Sequence, residues 1–513
     1  MAVRGRYGTD RWEKARSYKA QMNGGGESYS GIVPAKRSNE GQGGPQEIAE
    51  GRPPTKKNAD QLNSNRTPSR GNEPSGLDRV RQAAKEDKGL RFTALLHHGN
   101  IDLLRGSYQS LQKQAAAGVD GVTWEEYGEG LEDRLTDLHG RIHRGAYRAK
   151  PSRRVWIPKP DGRQRPLGIA ALEDKIVQRA VGTVLNQIWE EDFLGFSYGF
   201  RPGRSQQDAL DALSVGITQR KVNWVLDLDI RSFFDKVEHE WMVQFVQHRI
   251  ADTRIVRLIQ KWLQAGVMED GRWFETKEGT PQGSVISPIL ANLYLHYVLD
   301  VWAKAWREKV SRGDMIVVRY ADDAVLGFQY REDAERFLEQ LQERLRKFGL
   351  ELHPDKTRLI EFGRFAAERR KKRGEGKPET FDFLGFTHIC GRSHGTGYFT
   401  VYRKTIGKRM AAKLKEIRQE LRRRRHASIV ETKQWLIAVV RGYFQYHALP
   451  DNQHRLRSFR GDVLRAWLRQ LRRRSQRNRW TWARFLERLG NAIPAVAILH
   501  PWPNERFAAR HSR

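Results

Sequence analysis

The stretch Val317-Val318-Arg319-Tyr320-Ala321-Asp322-Asp323-Ala324-Val325-Leu326 constrains this chain more than any other. Two adjacent carboxylates sit between two apolar, β-branched runs. Such runs on either side of a polar break read as strand, tight turn, strand. Asp tolerates turn geometry, so the placement is locally easy. Side-by-side anions repel, however, and Asn-Gly would make a turn without charge. Something cationic should offset them, and a divalent metal is the first candidate. A hairpin with two solvated Asp is the plain alternative on this stretch alone.

The formal net charge of +31 over 513 residues moves the balance. Basic residues this abundant point to nucleic acid, with an anionic membrane surface as the other standard partner. No continuous apolar run approaches the ~20 residues of a membrane span. Met1 to Asp10 lacks the apolar core of a signal peptide. Cys390 is the single cysteine, which excludes intramolecular disulfides and multi-cysteine zinc sites. These features together predict a cytoplasmic, nucleic-acid-bound protein with no membrane partner.

Residues 1–76 are rich in Gly, Ser, Asn and Pro and read as a disordered polar, mildly basic leader. Helical periodicity begins at Leu77. Arg153 to Leu167 resembles a β-hairpin with a basic tip, in which Pro158 and Pro160 predict edge strands. Its Lys159 and Arg165 are candidate triphosphate contacts. Trp224 to Ile230 alternates with strand period, placing Val225, Asp227 and Asp229 on one face. Gly279 to Pro288 is a turn-rich loop that opens an apolar helix through Leu290, Leu293, Leu295 and Val298. Arg369 to Arg373 reads as a solvated loop, and Phe381 to Phe386 as one short strand. From Lys404 three helices follow. Met410, Leu414, Ile417 and Leu421 line the first; Trp435, Val439, Gly442, Tyr443 and Tyr446 belong to the second; Leu464, Trp467, Leu468 and Leu471 to the third. Narrow apolar seams with basic outer faces predict a small bundle that grips a polyanion.

Asp229 and the Asp322-Asp323 pair are distant in sequence but could meet across adjacent strands. Three carboxylates in one cleft would suit two Mg²⁺ ions and in-line phosphoryl transfer. Here the sequence resembles the group II intron-encoded reverse transcriptase/maturase family, over roughly Leu77 to Asp451. The resemblance rests on ordered blocks: Gly118-Val119-Asp120-Gly121, Lys159-Pro160-Asp161-Gly162 with Arg165-Pro166-Leu167-Gly168, and Tyr198 to Ser205. Asp229 to Asp235, Gln282-Gly283 with Ser287-Pro288, Tyr320 to Asp323, Phe383 to Phe386 and Arg441-Gly442-Tyr443-Phe444 complete the set.

The resemblance implies an α+β right-hand polymerase, with fingers and palm over 77–400 and a three-helix thumb, or maturase domain, over 401–477. Residues 478–513 form a short basic segment, a candidate DNA contact. By position, Asp229, Asp322 and Asp323 match the family's metal-binding acids, Gln282 the residue at the incoming nucleotide, and Phe234 the aromatic beneath the sugar. Lys159 and Arg165 would meet the triphosphate, and Asp235 and Tyr320 support the site. The turn around Gly118 to Gly121 resembles the extension that helps hold template RNA. The implied partners are group II intron RNA, a DNA target or primer, and dNTPs, in a bacterial nucleoid-associated ribonucleoprotein. The implied function is RNA-directed DNA polymerisation together with assistance to splicing during intron mobility. The HNH-type endonuclease of many relatives is expected to be absent, so priming would use an existing DNA end. Two alternatives stay open: an RNA-binding splicing factor with a vestigial polymerase, and a domesticated reverse transcriptase in defence or repair.

Overall fold

The computed structural model describes residues 75–158, 164–276, 278–280, 283–393, 395–475 and 480–510. The expected leader up to residue 74, Lys159 and Gln282 lie outside the described residues. Strands and helices are mixed. The strands are β1 (Ser152–Pro158), β2 (Gln164–Ile169), β3 (Trp224–Asp229), β4 (Val267–Glu269), β5 (Arg272–Phe274) and β6 (Met315–Tyr320). They continue with β7 (Asp323–Phe328), β8 (Arg358–Glu361), β9 (Phe381–Phe383), β10 (Phe386–Arg392) and β11 (Phe399–Thr405).

The central sheet has the order β6-β7-β3-β8, and every neighbouring pair is antiparallel. Its alternating side chains feed two separate cores. Val317, Leu326, Leu226 and Leu228 join the larger one. Ile316, Val318, Val325 and Val225 join the second. Covering both faces explains why β6 and β7 read as near-continuous apolar runs rather than as polar–apolar alternation. Helix α1 (Leu172–Asp192) runs through the larger core and is buried on most of its surface. Helix α2 (Gln206–Gln219) backs the second face and packs on β6. It begins with a capping box between Ser205 and Asp208. Helix α3 (Ser287–Leu295), with Pro288 in its first turn, passes into a π-helical turn, His296–Asp300.

The remaining strands form a four-stranded sheet, β2-β1-β4-β5, and a three-stranded one, β11-β10-β9. β1 and β2 pair as the expected hairpin, but β1 is not an edge along its whole length. Its first residues, Ser152 and Arg153, pair in parallel with Val267 and Met268, and from Arg154 to Pro158 the strand pairs with β2 alone among the described residues. The single strand expected over 381–386 is two. A two-residue turn, Leu384-Gly385, reverses the chain, with φ of 46° and 83°. Such turns match the twist of a hairpin. The basic run expected as a loop is the end of a helix, Ala366–Lys372, and Arg369 and Arg373 both reach the buried Glu361.

Helices α4 (Gly407–Arg423), α5 (Ile429–His447) and α6 (Gln453–Arg472) enclose a third core. Leu414, Ile417 and Leu421 are buried as expected. On α5 the fully buried seam is Leu436, Val440 and Phe444, while Trp435, Val439 and Tyr443 flank it half-buried. Trp435 and Tyr443 carry the stronger sequence signal, but their rings lie at the margin, and Leu436, Val440 and Phe444 fill the centre. Beyond the bundle, Phe485 and Ile493 insert into the same core. The last helix, α7 (Pro503–Arg510), returns to α2, where Arg506 Nε lies 3.0 Å from Asp211 Oδ2. Asp211 Oδ1 also accepts from Arg403 of β11 at 2.6 Å. One buried carboxylate thus joins three parts of the chain.

Candidate active site

The antiparallel register decides where the three acids fall. Asp229, the last residue of β3, is opposite Asp323, the first residue of β7. Tyr320 is also opposite Asp323, so Ala321 and Asp322 alone make the β6–β7 turn. Ala321 has φ of 57°, in the left-handed region where glycine is the usual occupant. The neighbouring Gly199 explains how tightly the turn is packed. A Cβ there would lie 2.3 Å from the Ala321 backbone nitrogen.

The acids are unequally compensated. Asp229 Oδ2 pairs with Lys356 Nζ at 2.8 Å, and its carbonyl accepts from His353 N–H at 2.8 Å. Asp227, two residues back on the same face, has Arg358 at 3.8 Å. Crowding by protein atoms, then the Asp322, Asp229 and Asp227 carboxylates, push Asp323 up to about 7, opposed by Arg409. Its side chain remains open to solvent, so the like charges around it carry the argument for the direction. Burial also raises Asp322, with Asp229 adding to the rise and Arg165 and Arg319 opposing it. Burial raises Asp227 to about 6 despite Arg358. The end of the sheet therefore holds more negative charge than its own cations neutralise. Among the described residues, no three carboxylate, imidazole or thiol groups are arranged closely enough to hold a metal by themselves.

Phe234 follows the β3 acid on a short helical turn, Phe233–Lys236, entered through Ser232 at φ of 48°. Its ring meets Phe233 edge-on at 5.3 Å, and its carbonyl accepts from Thr280 N–H at 2.7 Å. The turn-rich loop is therefore anchored on the Phe234 backbone. Further along, a Cβ on Gly283 would lie 2.8 Å from the Gly168 carbonyl of β2. Thr280 thus borders the Phe234 turn, and Gly283 the strand that carries Arg165. Arg165 is opposite Ile157, and its charge is felt at Asp322. Asp235 is exposed, and Tyr320 is buried at the end of β6. The Gly118 turn packs on the start of α1, where a Cβ would meet Ala171 at 2.5 Å.

Several residues of this region carried no assigned site role from the sequence. Arg319 is completely buried beneath the acid turn and pairs with Asp300. An arginine inside an apolar strand is rare unless paired, and that was the available signal. The Tyr198 to Ser205 block braces the turn. Tyr198 N–H donates to the Arg319 carbonyl at 2.8 Å, and Arg201 grips Glu190 through two hydrogen bonds of 2.9 and 2.6 Å. Lys356 had no periodicity to mark it. From the bundle, Arg409 opposes the rise at Asp323, and Tyr446 OH donates to the Leu384 carbonyl at 2.8 Å.

The chain is similar to known proteins over this region. Residues 157–388 match the family model described as reverse transcriptase (RNA-dependent DNA polymerase), so the matched region includes β2, all three acids and the β9–β10 turn. Protein YkfC of Escherichia coli (strain K12) is 36% identical over 277 residues, which cover 47% of this chain and 71% of that protein. Group II intron-encoded protein LtrA of Lactococcus lactis subsp. cremoris is 32% identical over 242 residues, 46% of this chain and 40% of that protein. An uncharacterized 91 kDa protein in the cob intron of Schizosaccharomyces pombe is 34% identical over 197 residues, 38% of this chain and 24% of that protein. The matched region is of the reverse transcriptase class. This chain belongs to the group II intron-encoded reverse transcriptase/maturase family. It spans less than half the length of the intron-encoded relatives that it matches.

Proposed function

We propose that this chain is an RNA-directed DNA polymerase that binds group II intron RNA, assists its splicing and copies it into DNA during intron mobility. The observation that carries the reading is the opposition of Asp229 and Asp323 across β3 and β7, with Asp322 in the intervening turn. The chemistry of the donor set fits Mg²⁺, since hard carboxylate oxygens with surplus negative charge suit a hard cation that also keeps water and substrate phosphates. Asp229, Asp322 and Asp323 would hold two such ions. When bound, Mg²⁺ supplies charge neutralisation for an in-line phosphoryl transfer.

The chain's own residues then act by positioning. Lys356 orients the Asp229 carboxylate through the 2.8 Å contact. Arg165, with Lys159, binds the triphosphate; Gln282 contacts the incoming nucleotide. The Phe234 ring lies beneath the sugar and excludes a 2′-hydroxyl, which selects dNTP over NTP. In this reading 77–400 is fingers and palm, and 401–477 is a thumb whose exposed Lys and Arg hold RNA by its phosphates. The basic segment 478–513 is available to DNA while its Phe485 and Ile493 pack into the bundle core. The working state is a ribonucleoprotein on bacterial DNA. Among the described residues, no helix is long and apolar enough to cross a membrane.

The test is Mg²⁺-dependent dNTP incorporation on a primed RNA template, beside Asp322→Ala. Activity in the first and its loss in the second supports the reading. RNA binding without activity in either points to a splicing factor with a vestigial polymerase.

A further inference from the structure

Arg319 lies three residues before Asp322, and both its side chain and that of Asp300 are wholly buried. Its guanidinium uses its full donor capacity. Nε and Nη2 form a fork on Asp300 Oδ1 and Oδ2 at 2.7 and 2.5 Å. The second Nη2 hydrogen goes to Ser197 Oγ at 2.7 Å. Nη1 donates to Asn292 Oδ1 at 3.1 Å and to the Ala321 carbonyl at 2.8 Å. Five donors in a rigid plane meet five acceptors, which a lysine could not reproduce.

The Ala321 contact matters because Ala321 is the residue at positive φ. A non-glycine residue stays there only when its surroundings over-determine it. Two contacts do so. Arg319 holds the carbonyl side of Ala321, and the Gly199 backbone closes on its nitrogen. Asn292 couples them, since it accepts from Arg319 and donates to the Gly199 carbonyl at 2.7 Å. Asp300 closes the π-helical turn His296–Asp300. Single π-turns within helices recur at functional sites, where they place a side chain that regular winding would misplace.

We propose that Arg319, anchored by Asp300, is a positioning residue. It sets the left-handed peptide at Ala321 and thereby the placement of Asp322 and Asp323 against Asp229. Stability alone is a poor reason to keep such a pair, because a buried ion pair can often be exchanged for neutral groups at little cost. Geometry is the better reason, since only the fork reaches Asp300 and the Ala321 carbonyl together. The inference rests on the nucleotidyl-transfer reading of the three acids, but it can be tested separately from it.

The experiment compares wild type, Arg319→Lys, Asp322→Ala and the doubly neutral Arg319→Gln/Asp300→Asn. Each is assayed for dNTP incorporation, for Mn²⁺ binding by electron paramagnetic resonance without nucleic acid, and for RNA binding. Misplacing the acids by about 1 Å should lower kcat about a hundredfold. The dNTP KM and RNA affinity should stay near wild type, and Mn²⁺ binding should weaken in both Arg319 variants. A folded variant with wild-type kcat and Mn²⁺ affinity overturns the role and leaves the polymerase reading intact. If Arg319→Lys fails to fold, the doubly neutral protein decides; failure of both to fold makes the pair structural only and overturns the role. A wild type that incorporates no dNTP, yet binds Mn²⁺ through Asp322 and less tightly in the variants, removes the polymerase reading and keeps the role.

Discussion

The acid-bearing sheet and the C-terminal bundle use arginine in opposite ways. Around the sheet, Arg319, Arg201 and Arg403 are buried, and each holds a buried carboxylate. In the bundle, Leu436, Val440, Leu456 and Phe459 fill the interior. Arg418, Arg422, Arg465 and Arg469 lie on exposed positions of α4 and α6. The first arrangement fixes geometry: losing one partner strands a buried charge, at a cost of about 3–5 kcal/mol. The second leaves charge available to a diffusing polyanion and makes little demand on the fold. The net charge of the chain therefore says nothing about geometry until buried and exposed arginines are separated.

The largest expected effect tests whether the two regions are separable at all. Asp322→Ala should abolish dNTP incorporation by several orders of magnitude while RNA affinity in a filter-binding assay is unchanged. A parallel loss of RNA binding would mean that the acid site and the bundle work as one surface. Next, Gly199→Ala should damage the acid site without touching an acid. The added methyl meets backbone rather than a yielding side chain. Overpacking of this kind costs about 1–3 kcal/mol and forces the turn to shift. Chemical denaturation and incorporation rates should both fall, again with RNA binding preserved.

On the bundle side, Leu436→Ala should cost about 2–5 kcal/mol, as for other buried leucines. Leu436 is fully buried and contributes to the bundle core. Limited proteolysis should then open the bundle first. Simultaneous opening of the central sheet would show that Arg506 and Arg403, meeting at Asp211, couple the two regions into one cooperative unit.

The two regions also differed in how far they could be read in advance. Strand alternation from Trp224 to Asp229, and the break at Asp322-Asp323, carried enough information to bring three acids together. The bundle's three helices followed from periodicity. Arg319 and Asp300 were not legible in the same way, because they lie on separate elements, β6 and the π-helical turn, whose approach no local periodicity reveals. The Leu384-Gly385 turn was missed since an apolar pair lacks the polar signature of a hairpin loop. Arg369 to Arg373 looked like a solvated loop because Glu361, which those arginines meet, lies in a preceding strand. Contacts between separate elements hid the roles of the arginines, whereas local composition hid the Leu384-Gly385 turn. The Lys159 and Gln282 assignments rest on motif position.

The smallest expected effects concern charge at constant structure. Replacing Arg418, Arg422 or Arg469 singly with Ala should leave stability within about 0.5 kcal/mol, as expected for exposed positions. If the replaced arginine neutralises an RNA phosphate, the slope of log affinity against log salt should become shallower by about 1. The acid site should respond to pH instead. Asp323 is raised to about 7, so between its unfolded value and that value the native state holds a proton that the unfolded chain gives up. Stability without metal should thus decline as pH rises from about 4 through about 7, and the native penalty is complete above it. Mg²⁺ binds the deprotonated carboxylates, so its stabilising shift in Tm should be larger at pH 8 than at pH 5.5, and Asp323→Asn should flatten both trends. The bundle arginines, being charged throughout this range, should leave the pH trend untouched when replaced. A pH trend that followed those arginines instead of Asp323 would mean that the surplus negative charge at the sheet is compensated by the bundle, from which Arg409 already opposes the rise at Asp323.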